Sequence, residues 1–377
     1  MIKGYNINSN FDSGNINELT KYQSNNIINI EVEINKDPYP SHIKNKYKYW
    51  YYFKVDNLEI NKTLTIILKN INNIEGDWKG FKAPYSYNNE DWFRIENTSI
   101  DLINKTITWT IKPKKRVIWF AYYPPYPFKR SETIAKKYKS SVLGNVNNKP
   151  IYYIKKGTGN KHVWILARQH PGETIGSWML EGFLKKLFKR KNKFLFQHFT
   201  FHIIINANPL GTINGNWYTT PDGINLNRDW IKKKSKNVQI IAKEILKTEC
   251  YLCIDLHGDE GSFKHFIAYC YEKKNKLYNK INDIINKENT NFRKTNYYKH
   301  NYSRHAKYST YDCYFTGLTF EGAMKHANEN DNTLQYTPLK IGSSFIKMFK
   351  KLAFENMKKN KTMKKKYKIK NKTLKIK

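Results

Sequence analysis

Four side chains with metal-binding or acid–base chemistry each lie at or shortly after the end of a short apolar run. His170 and Glu173 follow the first run, His257 follows the second, and Glu321 closes the third. The three runs are residues 163–166, 251–256 and 317–320. Runs of this length are typical of buried strands, and α/β sheets bind ligands beyond the carboxyl ends of their strands. The pattern therefore favours a fold in which one sheet edge collects all four side chains.

Two close ligands and one distant ligand are the usual way in which proteins hold a catalytic zinc. His170 and Glu173 are three residues apart, and His257 lies much farther along the chain. Three protein ligands leave the fourth position of a tetrahedral Zn²⁺ open for water or substrate. The spacing therefore predicts one catalytic Zn²⁺ per chain, because a structural site would be closed by a fourth protein ligand.

The first third of the chain differs in pattern from the rest. Up to residue 135, alternating or aromatic-rich runs recur between clusters of Asn, Asp, Gly and Pro, which predicts an all-β sandwich domain. Three prolines then prevent any strand from continuing: Pro124, Pro125 and Pro127. Over residues 136–357, strand-like runs alternate with apolar residues at helical spacing, which predicts an α/β sheet covered by helices.

The two ends of the chain lack signals for export or membrane insertion. No run of about 18 apolar residues occurs, and the first residues have no apolar signal core, so we expect a cytoplasmic protein without membrane spans.

Four cysteines in a chain of 377 residues do not form a disulfide framework. Residues 358–377 are rich in lysine and nearly free of acidic residues, so we expect a disordered tail.

The net charge of +36 raises the question of an anionic partner. The excess is mostly lysine, and it is spread along the whole chain together with abundant Asn, Ile and Tyr. A dispersed excess is weak evidence for any partner. Compositional drift explains it best, an acidic peptide substrate is the next interpretation, and nucleic acid is not expected.

Four stretches resemble the M14 metallocarboxypeptidases, in particular the cytosolic carboxypeptidase branch and its bacterial relatives. They are residues 167–174 (ARQHPGET), 208–230 (NPLG through GINLNRDW), 255–260 (DLHGDE) and 318–321 (LTFE), in the family's order. An aromatic β-sandwich ahead of the catalytic domain is also typical of that branch. The resemblance covers roughly residues 45–350, and it implies an α/β/α catalytic domain built on a mixed sheet.

The resemblance assigns roles to the four residues at the strand ends. It implies that His170, Glu173 and His257 are the zinc ligands. Glu321 corresponds to the general base, which takes the proton of the zinc-bound water as that water attacks the peptide carbonyl and passes it to the leaving amine.

The resemblance further implies that Asn227 and Arg228 hold the terminal carboxylate of the substrate, which a guanidinium binds bidentately. Where the family carries an arginine that stabilises the oxyanion, this chain has Tyr218, whose hydroxyl can donate a hydrogen bond but no charge. We expect either slow turnover or a substitute donor, for which Arg168, two residues before a ligand, is the candidate.

Three functions are compatible with these residues. The first is a zinc carboxypeptidase that hydrolyses the carboxy-terminal bond of peptides or protein tails, with glutamate-rich tails as one candidate class. The second is an amidohydrolase that deacylates small N-acyl amino acids. The third is a pseudoenzyme that keeps the metal and binds acidic tails. The β-sandwich and the Asn227–Arg228 pair favour the peptidase, whereas Tyr218 keeps the third function open.

Overall fold

The computed structural model describes residues 5–39, 48–60, 62–72, 75–270, 276–289, 291–293, 296–298, 310–315, 317–326 and 332–373. Its fold consists of an amino-terminal β domain and a larger α/β domain.

The amino-terminal domain consists of two five-stranded sheets that face each other. Its strands are β1 (Asn6–Asn8), β2 (Asn17–Ser24), β3 (Ile27–Glu33), β4 (Tyr52–Asp56), β5 (Thr63–Lys69), β6 (Pro84–Ser86), β7 (Phe93–Arg94), β8 (Thr98–Asp101), β9 (Thr106–Ile111) and β10 (Ile118–Ala121). The strand orders are β1-β4-β10-β6-β7 and β2-β3-β5-β9-β8. Trp109 of one sheet and Phe120 of the other have ring centroids 5.7 Å apart in the core between them. The predicted β fold of the amino-terminal domain is confirmed as far as β10, whereas a helix begins at Phe128, before the predicted boundary at residue 135.

The second domain is built on a mixed sheet of eight strands. They are β11 (Ser141–Val146), β12 (Lys149–Lys156), β13 (Lys161–Ala167), β14 (Phe199–Ile204), β15 (Cys250–Asp259), β16 (Phe266–Cys270), β17 (Asn296–Tyr298) and β18 (Leu318–Ala323). Their order is β11-β12-β14-β13-β15-β18-β16-β17. The central strands β14, β13, β15 and β18 are parallel, and antiparallel pairs flank them.

Helices cover both faces of this sheet. They are α1 (Phe128–Lys137), α2 (Thr174–Leu187), α3 (Leu195–His198), α4 (Pro209–Ile213), α5 (Lys236–Ile245), α6 (Lys276–Glu288), α7 (Tyr311–Phe315) and α8 (Tyr336–Thr373). Along β13, Val163 and Ile165 join the core that contains α2 and α8, whereas Trp164 and Leu166 join the core that contains α5. Because alternate side chains of a strand point to opposite faces, this arrangement confirms the predicted α/β/α architecture.

Helix α8 continues past residue 358 and ends at Thr373. The disorder expected for residues 358–377 stays a prediction. Lysine has a high helix propensity, and a helix that already packs on α2 extends without forming a new nucleus. Residues 374–377 lie outside the described residues. Among the described helices, none combines the length and the hydrophobicity needed to cross a bilayer.

Candidate metal centre

Strands β15 and β18 place His257 and Glu321 side by side. The strands pair in parallel, and His257 is the register partner of Glu321. Directly paired residues on neighbouring strands project to the same face of the sheet. The backbone ladder therefore sets the relative placement of these two side chains.

The turn between β13 and α2 carries His170 and Glu173. Glu173 occupies the N-cap position of α2, and its carboxylate is turned toward the two histidines. Its Oε1 lies 2.7 Å from Nδ1 of His170, and its Oε2 lies 2.7 Å from Nδ1 of His257. The backbone N–H of Gly258 donates to Oε2 over 2.9 Å. This one carboxylate thus connects the turn to the end of β15.

The other ring nitrogen of each histidine faces a hydrogen-bond acceptor. Nε2 of His170 lies 3.0 Å from Oδ1 of Asn225, and Nε2 of His257 lies 2.5 Å from Oδ2 of Asp255. Asp255 also accepts from the side-chain amide of Gln169. A proton on each Nε2 satisfies these contacts and leaves the Nδ1 lone pair for a metal, which is the arrangement that ligating histidines commonly adopt.

The charges around these residues favour a cation. Burial acts to raise the pKa of Glu173, but His170 and His257 lower it to about 2. Burial acts to lower the pKa of His257, but the carboxylates of Asp255 and Glu173 raise it well above its ordinary value. The position between the three side chains therefore stabilises positive charge, which a divalent metal supplies.

His170, Glu173 and His257 fit a zinc site. One ligand atom from each lies within 4.8 Å of the others, and all three residues are buried. The two imidazole rings have centroids 4.7 Å apart and are inclined by 75°. Two imidazoles and one carboxylate are donors that Zn²⁺ prefers in open catalytic sites. Across the described part of the chain, this is the one cluster of His, Cys, Asp and Glu with such geometry.

Glu321 lies beside this cluster with partial access to solvent. Burial raises the pKa of Glu321 well above its ordinary value, and the carboxylates of Glu173 and Asp259 add to the rise, whereas His257 opposes it. A carboxyl group in such surroundings holds and releases a proton more readily near neutral pH than a solvated one. Its assignment as the general base stays a prediction that this placement supports.

Asn227 and Arg228 lie in a 3₁₀ turn over Leu226–Arg228. Oδ1 of Asn227 accepts the backbone N–H of Tyr311 over 2.9 Å. Nη1 of Arg228 donates to the backbone carbonyl of Asn227 over 2.8 Å, and the side chain of Arg228 is exposed. Asn225, the residue directly before this turn, contacts His170, so the turn is connected to the metal cluster through one residue.

Tyr218 lies against the metal cluster. Its ring meets the ring of His170 edge-on, with centroids 4.6 Å apart and an interplanar angle of 73°. Its hydroxyl donates to Oε1 of Glu260 over 2.9 Å. The phenol therefore forms a wall of the site at the place where the resemblance predicts an arginine.

Arg168 makes its hydrogen bonds with residues other than those above. It adopts a left-handed backbone conformation with φ of 66°, and its guanidinium is buried. Nη1 donates to the backbone carbonyl of Tyr126 over 2.9 Å, and Nη2 donates to the Thr212 hydroxyl over 3.4 Å. These contacts fasten the second domain to the segment before α1. The role of Arg168 as a substitute donor to the oxyanion stays a prediction, and these contacts do not support it.

The sequence analysis missed two residues that support the site. Asn225 holds His170, and Asp37 of the amino-terminal domain binds the backbone of the segment that carries Tyr218. Asn225 lies within a stretch that we compared with the family, so its position was a usable signal. Asp37 has no such signal, because a single aspartate before a proline is typical of ordinary turns.

Two known protein families match most of the chain. A family described as "Zinc carboxypeptidase" matches residues 135–341, and one described as "Cytosolic carboxypeptidase N-terminal domain" matches residues 7–123. An uncharacterized protein of Zymomonas mobilis is 30% identical over 277 residues, which cover 70% of this chain and 70% of that protein. Cytosolic carboxypeptidase 3 of Bos taurus is 26% identical over 306 residues, or 69% of this chain. The match spans only 30% of the bovine protein.

Solved structures share the fold along nearly the whole chain. A metallo-carboxypeptidase from Burkholderia cenocepacia superposes with a TM-score of 0.81 at 25% identity, covering 94% of this chain and all of that one. A metallo-carboxypeptidase from Pseudomonas aeruginosa, solved with (2-guanidinoethylmercapto)succinic acid, has a TM-score of 0.78 at 22% identity, covering 92% and 100% of the two chains. Both similarities include the amino-terminal β domain as well as the α/β domain.

Proposed function

This chain belongs to the zinc carboxypeptidase family, and on that premise we propose that it removes the carboxy-terminal residue from peptides or protein tails in the cytoplasm. The observation that carries the proposal is the convergence of His170, Glu173 and His257 on one point beside Glu321. The exposed guanidinium of Arg228, on the turn next to Asn225, adds a group that can recognise a free carboxylate.

In this proposal His170, Glu173 and His257 hold the zinc, and each ligand has a defined support. Asn225 and Asp255 orient the two imidazoles through their Nε2 atoms, and the N–H of Gly258 orients the carboxylate. When bound, Zn²⁺ polarises the peptide carbonyl and acidifies water.

Glu321 moves the proton. Its carboxylate takes a proton from the attacking water and delivers it to the nitrogen of the leaving amino acid, so that one water is consumed for each bond broken. Its register partner is the ligand His257, which keeps the carboxylate beside the metal cluster.

Asn227 and Arg228 make the reaction an exopeptidase reaction. Arg228 is exposed and available to a substrate, and its contact with the Asn227 carbonyl limits the positions it can take. A bidentate guanidinium–carboxylate pair requires that the substrate end in a free carboxylate. Internal peptide bonds lack this group.

Tyr218 is proposed to line the substrate site in place of the family arginine. Its hydroxyl already donates to Glu260 and has no second proton to give. Removal of a preorganised oxyanion donor costs about 10²–10³ in turnover in other enzymes. We therefore expect turnover to be slow, and Arg168 remains the one candidate substitute named from the sequence.

Acidic tails are the substrate class that we favour. Arg228, Lys232 and Lys234 are exposed and close together in the chain, and Lys233 lies 5.2 Å from the Tyr314 ring centroid. Positive groups beside a site attract acidic substrates and raise their association rate.

The function is tested with short peptides that differ only in the last residue, each prepared with a free and with an amidated terminus. Mass spectrometry should detect release of single amino acids from the free peptides, in a preparation whose activity a chelator abolishes. We expect the free peptide to react about 10- to 100-fold faster than its amidated form, because a charged hydrogen-bonded pair is lost.

Two variants make the test specific. Arg228→Ala should remove the preference for the free terminus, whereas Arg190→Ala, an exposed arginine in another turn, should leave it unchanged. Equal cleavage of amidated peptides by the wild type would contradict the carboxylate role. Cleavage of N-acyl amino acids alone would establish the amidohydrolase. A zinc-loaded protein that binds polyglutamate but hydrolyses nothing would establish the binding function.

A further inference from the structure

Asp37 is a buried carboxylate of the amino-terminal domain that binds a segment of the α/β domain. It follows β3, and only 6% of it is exposed. Its Oδ1 accepts the backbone N–H of Trp217 over 2.7 Å, and its Oδ2 accepts those of Tyr218 and Thr219 over 2.7 and 2.9 Å. The Thr219 hydroxyl also donates to Oδ2 over 3.1 Å. Three successive N–H groups thus converge on one carboxylate, as in a backbone anion nest.

The segment that Asp37 holds touches the metal cluster on one side. The backbone N–H of Gly172, between His170 and Glu173, donates to the carbonyl of Trp217 over 3.0 Å. A Cβ atom on Gly172 would lie 2.3 Å from the Trp217 ring, so the turn with the ligands packs directly on this residue. A shift of Trp217 would therefore shift the turn.

The same segment touches the substrate side. The Tyr218 ring packs on His170 with centroids 4.6 Å apart. Thr219 forms a β-bridge with Asn225, whose side chain faces Nε2 of His170. The segment thus connects the wall formed by Tyr218 to the stretch that contains Arg228.

We propose that Asp37 is a positioning residue of the active site, which acts through residues 217–219 on Tyr218 and on the turn that carries the metal ligands. The proposal rests on the proposed carboxypeptidase function. Without the carboxylate, three N–H groups that are buried or partly buried lose their acceptor, and the segment must rearrange to satisfy them. The amino-terminal domain is therefore a part of the catalytic apparatus.

Asp12 provides a matched control. It also lies in the amino-terminal domain and also accepts two backbone N–H groups of the second domain, those of Phe128 and Lys129, over 3.1 and 2.8 Å. Those groups belong to the start of α1 and not to residues 217–219 or the ligand turn. Asp12→Asn therefore removes a comparable contact between the domains and leaves residues 217–219 in place.

The experiment compares Asp37→Asn and Asp12→Asn in kcat, KM, melting temperature and zinc affinity, measured by competition with a chelating fluorophore. We expect Asp37→Asn to raise KM and to lower kcat/KM about 10-fold or more, since small displacements of positioning groups cost up to about 10². Asp12→Asn should change kcat/KM less than about twofold for a similar loss of melting temperature. Equal effects of both variants on kcat/KM would overturn the proposal.

A double-mutant cycle tests the route of the effect. In a Tyr218→Ala background, Asp37→Asn should lower kcat/KM by a clearly smaller factor than in the wild type, because coupled residues are not additive. A fully multiplicative loss would overturn the route through Tyr218. Should Asp37→Asn fail to fold, Thr219→Val removes only the hydroxyl that donates to Asp37, and it should raise KM about twofold to threefold. An unchanged KM in Thr219→Val would contradict the proposal.

Failure of the proposed function is distinguishable from failure of this inference. Inactivity of the wild type toward every peptide would contradict the proposed function, but zinc affinity could still be measured. In that case Asp37→Asn should still bind zinc about 10-fold more weakly than Asp12→Asn, as expected for loss of an outer support of the ligands. Equal zinc affinities of the two variants would then overturn the role of Asp37.

Discussion

The two halves of the proposed metal centre are held in different ways. His257 and Glu321 lie on paired strands in the middle of the sheet, where the backbone ladder fixes them. His170 and Glu173 lie on a turn that follows β13, and their placement depends on side chains and backbone from other regions. One half is fixed by secondary structure, and the other half is fixed by tertiary contacts.

This difference shows where a small change would act. A strand position resists displacement, because moving it breaks several ladder hydrogen bonds at once. A turn is displaced when one of its anchors is lost. Asn225 and Trp217 anchor the turn with the ligands, and Asp37 anchors Trp217. The strand half should therefore tolerate remote substitutions that weaken the turn half.

The largest expected effect is that of Glu321→Gln in the strand half. The amide cannot take a proton from water, so turnover should fall by about 10²–10⁴, while zinc content and melting temperature stay close to the wild-type values. Steady-state kinetics and metal analysis of one preparation measure both. Glu132→Gln, on the surface of α1, is the control and should leave turnover unchanged. Loss of zinc from Glu321→Gln would contradict the separation of the base from the ligands.

A second prediction compares the supports of the two histidines. Asp255→Asn, in the strand half, should weaken zinc binding by about 10–100-fold, because a carboxylate that orients a ligand also raises its basicity. Chelator competition gives the affinity directly.

Asn225→Ala, in the turn half, is the matching variant. It removes a neutral acceptor from His170, so its effect on zinc affinity should be smaller than that of Asp255→Asn, up to about 10-fold, as for a net neutral hydrogen bond. A larger effect of Asn225→Ala than of Asp255→Asn would contradict this ranking. It would show that the position of the turn matters more for zinc affinity than the charge of the group that supports each histidine.

The strand half was predictable from the sequence, and the supports of the turn half were not. Apolar runs that end in His257 and Glu321 give their positions directly, because strand ends in a parallel sheet share one edge. The close pair His170 and Glu173 was also readable from its spacing. Asp37 was not, since it lies 180 residues from Trp217 and no local pattern records a contact between domains.

Two further predictions rest on local reasoning of the same kind, and both stay predictions. Arg168 is close to a ligand in the sequence, but its left-handed backbone turns the guanidinium toward Tyr126 and Thr212. The lysine-rich end was expected to be disordered because of charge repulsion, and helix α8, which ends at Thr373, extends into it. Sequence proximity and composition are weak predictors of a residue's contacts or of a helix end where backbone direction and packing determine them.

The central claim is that His170, Glu173 and His257 bind one zinc together. Its most direct test is the metal content of the purified protein after equilibration with zinc and removal of the excess, measured by elemental mass spectrometry beside His257→Ala. The account predicts one zinc per wild-type chain and far less than one for a folded His257→Ala protein. A wild-type protein without stoichiometric zinc, or a variant that retains it fully, would contradict the account.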